Sequence, residues 1–153
     1  MPYTPIDVIE QLISIEKNAV KMYDNIIKIT DDKKIKVVLQ VLKKEEIRHV
    51  NWYIDLKEKI EKEEQENIDF YFYDKIFKLI MEFKQKMYIP SVSSPKELIN
   101  EAIYFEKSQE ALLIDIQGRI LTSNNDISTK FYQLLNKLIK EERKHSENLS
   151  RFL

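Results

Sequence analysis

Both histidines of the chain follow a glutamate at a spacing of three residues. Glu46 precedes His49, and Glu142 precedes His145. In an α-helix, residues at this spacing lie on the same face, so each pair presents a carboxylate and an imidazole in one direction. Carboxylate oxygens and imidazole nitrogens suit transition-metal ions such as iron and manganese. The two pairs therefore predict metal ligands.

Two further glutamates interrupt apolar helical stripes. Glu16 lies in the middle of the stripe formed by Leu12, Ile13, Ala19 and Val20. Glu106 lies seven residues after Ile99 and seven before Leu113, at the centre of another stripe. At about 100° per residue, the two Glu-x-x-His pairs also point along the apolar faces of their helices. Glu45 and Glu141 lie farther from those faces, so Glu46 and Glu142 are the better inward candidates.

The pattern occurs twice in the chain. Glu46 and Glu142 are 96 residues apart, as are His49 and His145, while Glu16 and Glu106 are 90 apart. With 17 Glu among 153 residues, both His follow a Glu at this spacing by chance with a probability of about 1%. The duplication favours one core that contains all six residues.

Electrostatics explain why such a core would hold metal. A buried, unpaired carboxylate costs several kcal/mol, and four clustered carboxylates repel one another or take up protons. Two divalent cations remove that cost. In the alternative interpretation, Glu16 and Glu106 are partly exposed and both histidines are ordinary core residues with hydrogen-bond partners.

Composition excludes several other classes of site. The chain has no Cys and one Gly, which excludes disulfides, Cys-ligated metals, thiol nucleophiles and a glycine-rich phosphate loop. The net charge of −1 suggests neither a nucleic-acid nor a membrane partner. The N-terminal residues lack a basic region followed by an apolar core, and no apolar run is long enough to span a membrane. We expect a soluble, cytoplasmic protein.

Helices are predicted nearly throughout. The first begins at Thr4-Pro5-Ile6-Asp7, with Thr4 as N-cap. Thr30-Asp31-Asp32 ends it and caps the second, which runs into an exposed charged stretch at residues 61–66. The third opens at Ser94-Pro95 and ends near Thr122–Asp126. The stripe of the fourth is formed by Phe131, Leu134, Leu135, Leu138, Leu149 and Phe152.

A long connection over about residues 66–93 contains a shorter helical pattern formed by Ile76, Ile80, Phe83 and Met87. Two helical hairpins joined by one long crossover are typical of a ferritin-like four-helix bundle. We therefore predict a single all-α domain, 1–153, with this architecture. The aromatic run Phe70-Tyr71-Phe72-Tyr73 is expected to pack against the outside of the bundle, with a subunit contact or a lid as the alternative.

These residues resemble the rubrerythrin-like members of the ferritin-like superfamily. The resemblance rests on Glu16-x-x-Ala19-x-x-x-Tyr23, on Leu42-Lys43-Lys44-Glu45-Glu46-x-x-His49 and on Leu138-Ile139-Lys140-Glu141-Glu142-Arg143-Lys144-His145. It implies two metal ions, iron preferred and manganese the alternative. Glu16 and Glu106 would be terminal ligands, Glu46 and Glu142 bridging ligands, and His49 and His145 would bind one ion each.

The chain departs from the family in two ways. Full-length rubrerythrins have a Cys-ligated iron domain as electron relay, so a chain without Cys is expected to need an external electron-donor protein. The family also has a further Glu three residues after the third-helix ligand, where this chain has Gln109. Glu110 is a candidate seventh carboxylate, and an ordinary polar helix residue is the alternative.

The resemblance implies a di-iron protein that reacts with hydrogen peroxide or dioxygen, reducing peroxide with electrons from a partner. We also expect a homo-oligomer, with a dimer favoured. One alternative is a ferroxidase or iron-handling protein without an organic substrate, and another is a metal-free helical interaction module. Tyr23 and Tyr53 are predicted to be core residues, with a hydrogen bond to a ligand or the passage of an electron as the alternative. Trp52 lies off the centre of its stripe and is assigned no role.

Overall fold

The computed structural model describes residues 3–121 and 129–153. Within these ranges the protein is all-helical, as predicted, and contains no strand beyond an isolated bridge between Tyr3 and Ile68. Its five helices are α1 (Pro5–Ile29), α2 (Lys33–Glu61), α3 (Phe70–Gln85), α4 (Pro95–Ile120) and α5 (Lys130–Ser150).

Caps define the starts of the first two helices. The backbone N–H of Thr4 donates to Oδ2 of Asp7 at 2.8 Å, and Pro5 takes the first helical position, where its missing N–H costs nothing. Oδ1 of Asp32 accepts from the backbone N–H groups of Lys34 and Ile35 at 2.9 and 3.0 Å. Both starts confirm the sequence prediction.

The chain divides into two compact units, residues 1–95 and 96–153. The first contains α1, α2 and α3, and the second contains α5 and all of α4 except its first residue. Each unit has one pair of long helices that carries three of the six candidate ligands. The single domain and the ferritin-like crossover stay predictions.

In the first unit, α1 packs against α2 and α3. The core is formed by aliphatic side chains of α1 and α2, including Ile9, Leu12, Ile15, Leu39 and Leu42. From α3, Tyr73, Ile76 and Ile80 are buried. The ring of Tyr73 stacks on that of Tyr3 with centroids 3.8 Å apart. This contact holds the N-terminal segment against the start of α3.

The aromatic residues at the start of α3 differ in how far they are buried. Tyr73 is buried, but Phe70 and Tyr71 are exposed by 58% and 75%. Four consecutive helical residues point in four directions, about 100° apart, so one side of α3 cannot bury all of them. The expectation that the run packs against the protein is therefore wrong for Tyr71, whereas the ring centroid of Phe70 lies 6.2 Å from that of Tyr3.

In the second unit, hydrogen bonds join α4 and α5. Nε2 of Gln117 donates to the carbonyl oxygen of Tyr132 at 3.2 Å and to Oδ1 of Asn136 at 2.7 Å. The buried residues include Ile99, Ala102, Leu113, Leu135 and Leu138. Residues 122–126, where a break was expected, lie outside the described residues.

The predicted stripe of the fourth helix is wrong at its last residue. The helix ends at Ser150, and Phe152 is 66% exposed. A residue beyond the helix end no longer follows the helical period that placed it on the buried face. By contrast, the charged residues after Glu61 are exposed, as predicted. Across the described ranges, none of the helices is both long enough and apolar enough to span a membrane.

Candidate metal centre

All six predicted ligands are buried. The exposed fraction of the residue is 0% for Glu16, Glu106 and Glu142, 2% for Glu46, 5% for His49 and 9% for His145. Ionised carboxylates are almost never fully buried unless they are paired or bind a cation. The alternative in which Glu16 and Glu106 are partly exposed is therefore wrong.

Glu16, Glu46 and His49 form the first ligand group, in the hairpin of α1 and α2. Each residue offers one ligand atom, and these atoms all lie within 4.8 Å of one another. Nδ1 of His49 lies 3.1 Å from Oε2 of Glu16, across the two helices. Residues that are 33 positions apart in the sequence are thus brought to one point by the antiparallel course of the hairpin.

Glu106, Glu142 and His145 form the second ligand group, on α4 and α5. Their ligand atoms also lie within 4.8 Å of one another. Nδ1 of His145 lies 3.2 Å from Oε1 of Glu106. The second group therefore repeats the residue types, the helix order and the close Glu–His approach of the first.

The neighbouring glutamates face elsewhere. Glu45 is half-buried, and Oε1 of its carboxylate lies 3.1 Å from Nη1 of Arg48. Glu141 is also half-buried, whereas Glu142 is fully buried. A step of one residue along a helix rotates the side chain by about 100°, which separates the two members of each Glu-Glu pair. Choosing Glu46 and Glu142 as the inward residues is confirmed.

Each ligand group fits a divalent transition-metal ion. Metal–oxygen and metal–nitrogen bonds are about 2.1 Å long, so two neighbouring ligands of one ion lie about 3 Å apart. The separations of 3.1 and 3.2 Å between the Glu and His atoms agree with that spacing. Two carboxylates and one neutral imidazole also carry the charge that one divalent cation balances. Oxygen and imidazole ligands without thiolate suit iron and manganese.

Gln109 and Glu110 lie about one helical turn after Glu106. Gln109 is fully buried and is uncharged at the position where the resemblance would place a carboxylate. Oε1 of Glu110 accepts a hydrogen bond from Nε of Arg143, on α5, and its side chain is 16% exposed. The carboxylate of Glu110 thus has a cationic partner within the protein. Its role as a seventh carboxylate stays a prediction.

Buried tyrosines lie on both helices of the first hairpin. Tyr23 and Tyr53 are both fully buried, in agreement with the core packing expected for them. The ring of Tyr53 meets that of His49 edge-on, with centroids 5.2 Å apart. Leu113 and Leu149 are the residues at the corresponding positions of the second hairpin. The two groups therefore have the same ligand residue types but differ in the side chains at the neighbouring positions.

Sequence reasoning missed the contacts of Trp52. Its ring centroid lies 5.3 Å from that of Tyr53 and 6.1 Å from that of His49. The spacing of four residues from His49 to Tyr53 is a signal for their contact. Trp52 lies to the side of the apolar stripe, so helical periodicity alone does not identify its position beside Tyr53.

An open groove of about 440 Å³ runs along the α1–α2 hairpin. Its apolar part includes Val20, Ile47 and Val50, and three lysines border it, Lys17, Lys21 and Lys43. In the second hairpin, the positions that correspond to Val20 and Ile47 are Glu110 and Arg143, which form an ion pair. No periodicity in the sequence marks this groove, because it is lined partly by exposed residues of two helices.

Comparison of the chain with models of protein families, with curated proteins and with solved structures gave no match in any of the three.

Proposed function

We propose that the protein binds two metal ions, with iron preferred and manganese as the alternative, and that it reacts with hydrogen peroxide or dioxygen. The observation that carries this proposal is the presence of two buried Glu–Glu–His groups with the same internal spacing. The duplicated motif supports a binuclear metal protein of the rubrerythrin type. An external protein would supply the electrons.

The burial of the six side chains supports metal binding more strongly than their residue types do. Each group places two carboxylates within 4.8 Å of each other and of an imidazole, inside an apolar core. Without a cation, this arrangement requires like charges to approach at short range or protons to be taken up. A divalent ion removes the repulsion and supplies bonds to the buried oxygens.

Bound iron would supply one-electron redox chemistry, because ferrous ions can be oxidised to ferric ions. Reduction of one hydrogen peroxide molecule to two water molecules consumes two electrons and two protons, which two ferrous ions and the solvent can provide. The four glutamates would stabilise the higher charge of the oxidised ions. The buried aliphatic residues of the same helices, including Leu12, Leu42, Leu113 and Leu138, would exclude bulk water and keep the electrostatic interactions strong.

An anaerobic titration with ferrous iron tests the proposal. We expect close to two iron ions per chain by mass spectrometry of the metal, followed by an absorbance change when peroxide or oxygen is added. Fewer than one transition-metal ion per chain would refute it. A faster reaction with peroxide than with oxygen supports peroxide reduction. A faster reaction with oxygen, accompanied by mineral formation in excess iron, supports the ferroxidase alternative instead.

A further inference from the structure

We propose that Trp52 and Tyr53 form the route by which electrons travel between the surface of α2 and the first ligand group. This inference rests on the proposed function, since it requires a redox-active ion near His49. It names the point at which the external donor delivers its electrons. It also makes the two hairpins functionally unequal.

The geometry consists of three aromatic rings in mutual contact. The ring of His49 meets Tyr53 edge-on at 5.2 Å with an interplanar angle of 76°. Tyr53 meets Trp52 edge-on at 5.3 Å and 79°. The direct distance between the rings of His49 and Trp52 is 6.1 Å. Electron tunnelling slows steeply with the distance between π systems, so contacts of this kind favour transfer.

The burial of the three residues shows which end of the route lies at the surface. His49 and Tyr53 are buried, whereas Trp52 is half-buried and reaches the protein surface. An electron that enters the indole of Trp52 from outside can reach the imidazole of His49 without crossing an aliphatic layer. The aromatic rings thus connect the protein surface to His49.

The second hairpin lacks such a route at the matching positions. Asn148 and Leu149 occupy the places on α5 that Trp52 and Tyr53 occupy on α2. Asn148 is exposed and Leu149 is buried. His145 therefore has no aromatic neighbour at either of these two positions. The duplicated ligand sets with unequal surroundings provide an internal control for the proposal.

The step requires no bond to form or break. A one-electron donor protein is oxidised, one electron passes along Trp52 and Tyr53, and the oxidised ion held by the first ligand group is reduced by that electron. Both rings are unchanged afterwards, and the phenol of Tyr53 keeps its proton. Each passage returns one of the two electrons that one peroxide molecule consumes.

The absence of native Cys permits a direct test. A ruthenium photosensitiser is attached to a single cysteine introduced by Asp55→Cys or, as the matched control, by Arg151→Cys. Asp55 and Arg151 are both exposed, and each lies six residues after the histidine of its hairpin. After iron loading, oxidation and a flash with a sacrificial reductant, transient absorbance measures how fast the ferric ions are reduced.

We expect reduction to be several-fold faster from the Asp55→Cys label than from the Arg151→Cys label. Adding Trp52→Leu or Tyr53→Leu should slow the first rate several-fold, while Tyr53→Phe, which retains the ring, should preserve it. Equal rates from the two labels, or an unchanged rate in Trp52→Leu, would overturn the proposal. Because Trp52 is half-buried, its replacement tests the route even if Tyr53→Leu fails to fold.

Metal analysis separates this proposal from the function on which it depends. If the labelled chains hold no iron after loading, the metal-binding proposal fails and the electron route fails with it. If they hold iron and circular dichroism shows intact helices, the transfer rates decide the electron route alone.

Discussion

Nδ1 of His49 lies 3.1 Å from Oε2 of Glu16, so the two helices of the first hairpin meet at a buried acid–imidazole pair. The equivalent atoms of His145 and Glu106 are 3.2 Å apart. Most other residues of the two hairpins differ, yet this contact recurs with nearly the same length. The geometry thus repeats the duplication that the sequence shows in its Glu-x-x-His spacing.

Replacing Glu46 by Ala should remove bound metal. Its carboxylate is one of only three donors in the first ligand group, and a bridging role, as the resemblance implies, would make it serve both ions. We expect iron content after reconstitution to fall from about two ions per chain to one or none. Glu45→Ala is the matched control, because Glu45 is half-buried and paired with Arg48. Equal metal loss in both variants would contradict the assignment.

Metal should stabilise the folded protein. A ligand at 100 times its dissociation constant adds about 2.7 kcal/mol if it binds only the folded state. For a chain of this size, each kcal/mol corresponds to a shift of about 2–4 °C in Tm. We therefore expect ferrous or manganous ions to raise the Tm by about 5–10 °C, measured anaerobically by circular dichroism. An unchanged Tm would favour the metal-free interaction module.

Glu142→Gln should change the Tm differently with and without metal. Without metal, the substitution removes one negative charge from a buried pair of carboxylates, so the Tm should be unchanged or higher than that of the wild type. With metal, the variant should have the lower Tm, because a ligand is lost. A variant less stable under both conditions would indicate that Glu142 acts through hydrogen bonding alone.

Glu110→Gln should leave the metal content unchanged. The carboxylate of Glu110 is engaged by Arg143, and its side chain is partly exposed at the edge of the second ligand group. Glu106→Gln, one turn earlier on α4, is the comparison, and we expect it to lose at least one ion per chain. If Glu110→Gln also loses iron, Glu110 is a ligand and the ion pair with Arg143 opens when metal binds.

Asp32→Ala should destabilise the first hairpin without affecting the ligands. Oδ1 of Asp32 accepts hydrogen bonds from Lys34 and Ile35, which satisfies two backbone groups at the start of α2. Loss of an N-cap costs about 0.5–2 kcal/mol. Urea unfolding measures this loss. Asp31→Ala, at the adjacent exposed position before the cap, should change the free energy of unfolding much less.

Helix starts and inward positions were predictable because local physics decides them. The Pro at the first turn and Asp32 at a cap mark helix starts, and a fixed rotation of about 100° per residue places Glu46 inward and Glu45 aside. The ion pair between Glu110 and Arg143 was not predictable. It depends on the axial position of α4 relative to α5, which the apolar stripe of a single helix does not determine.

Trp52 is the single tryptophan of the chain, and its indole lies 6.1 Å from the imidazole of His49. When the protein is excited at wavelengths longer than those that tyrosine absorbs, its fluorescence therefore comes from one side chain beside the first ligand group. Paramagnetic or redox-active ions quench indole emission at such short range. The protein thus carries its own optical reporter, and filling of the first ligand group can be followed in the unlabelled, unmodified chain.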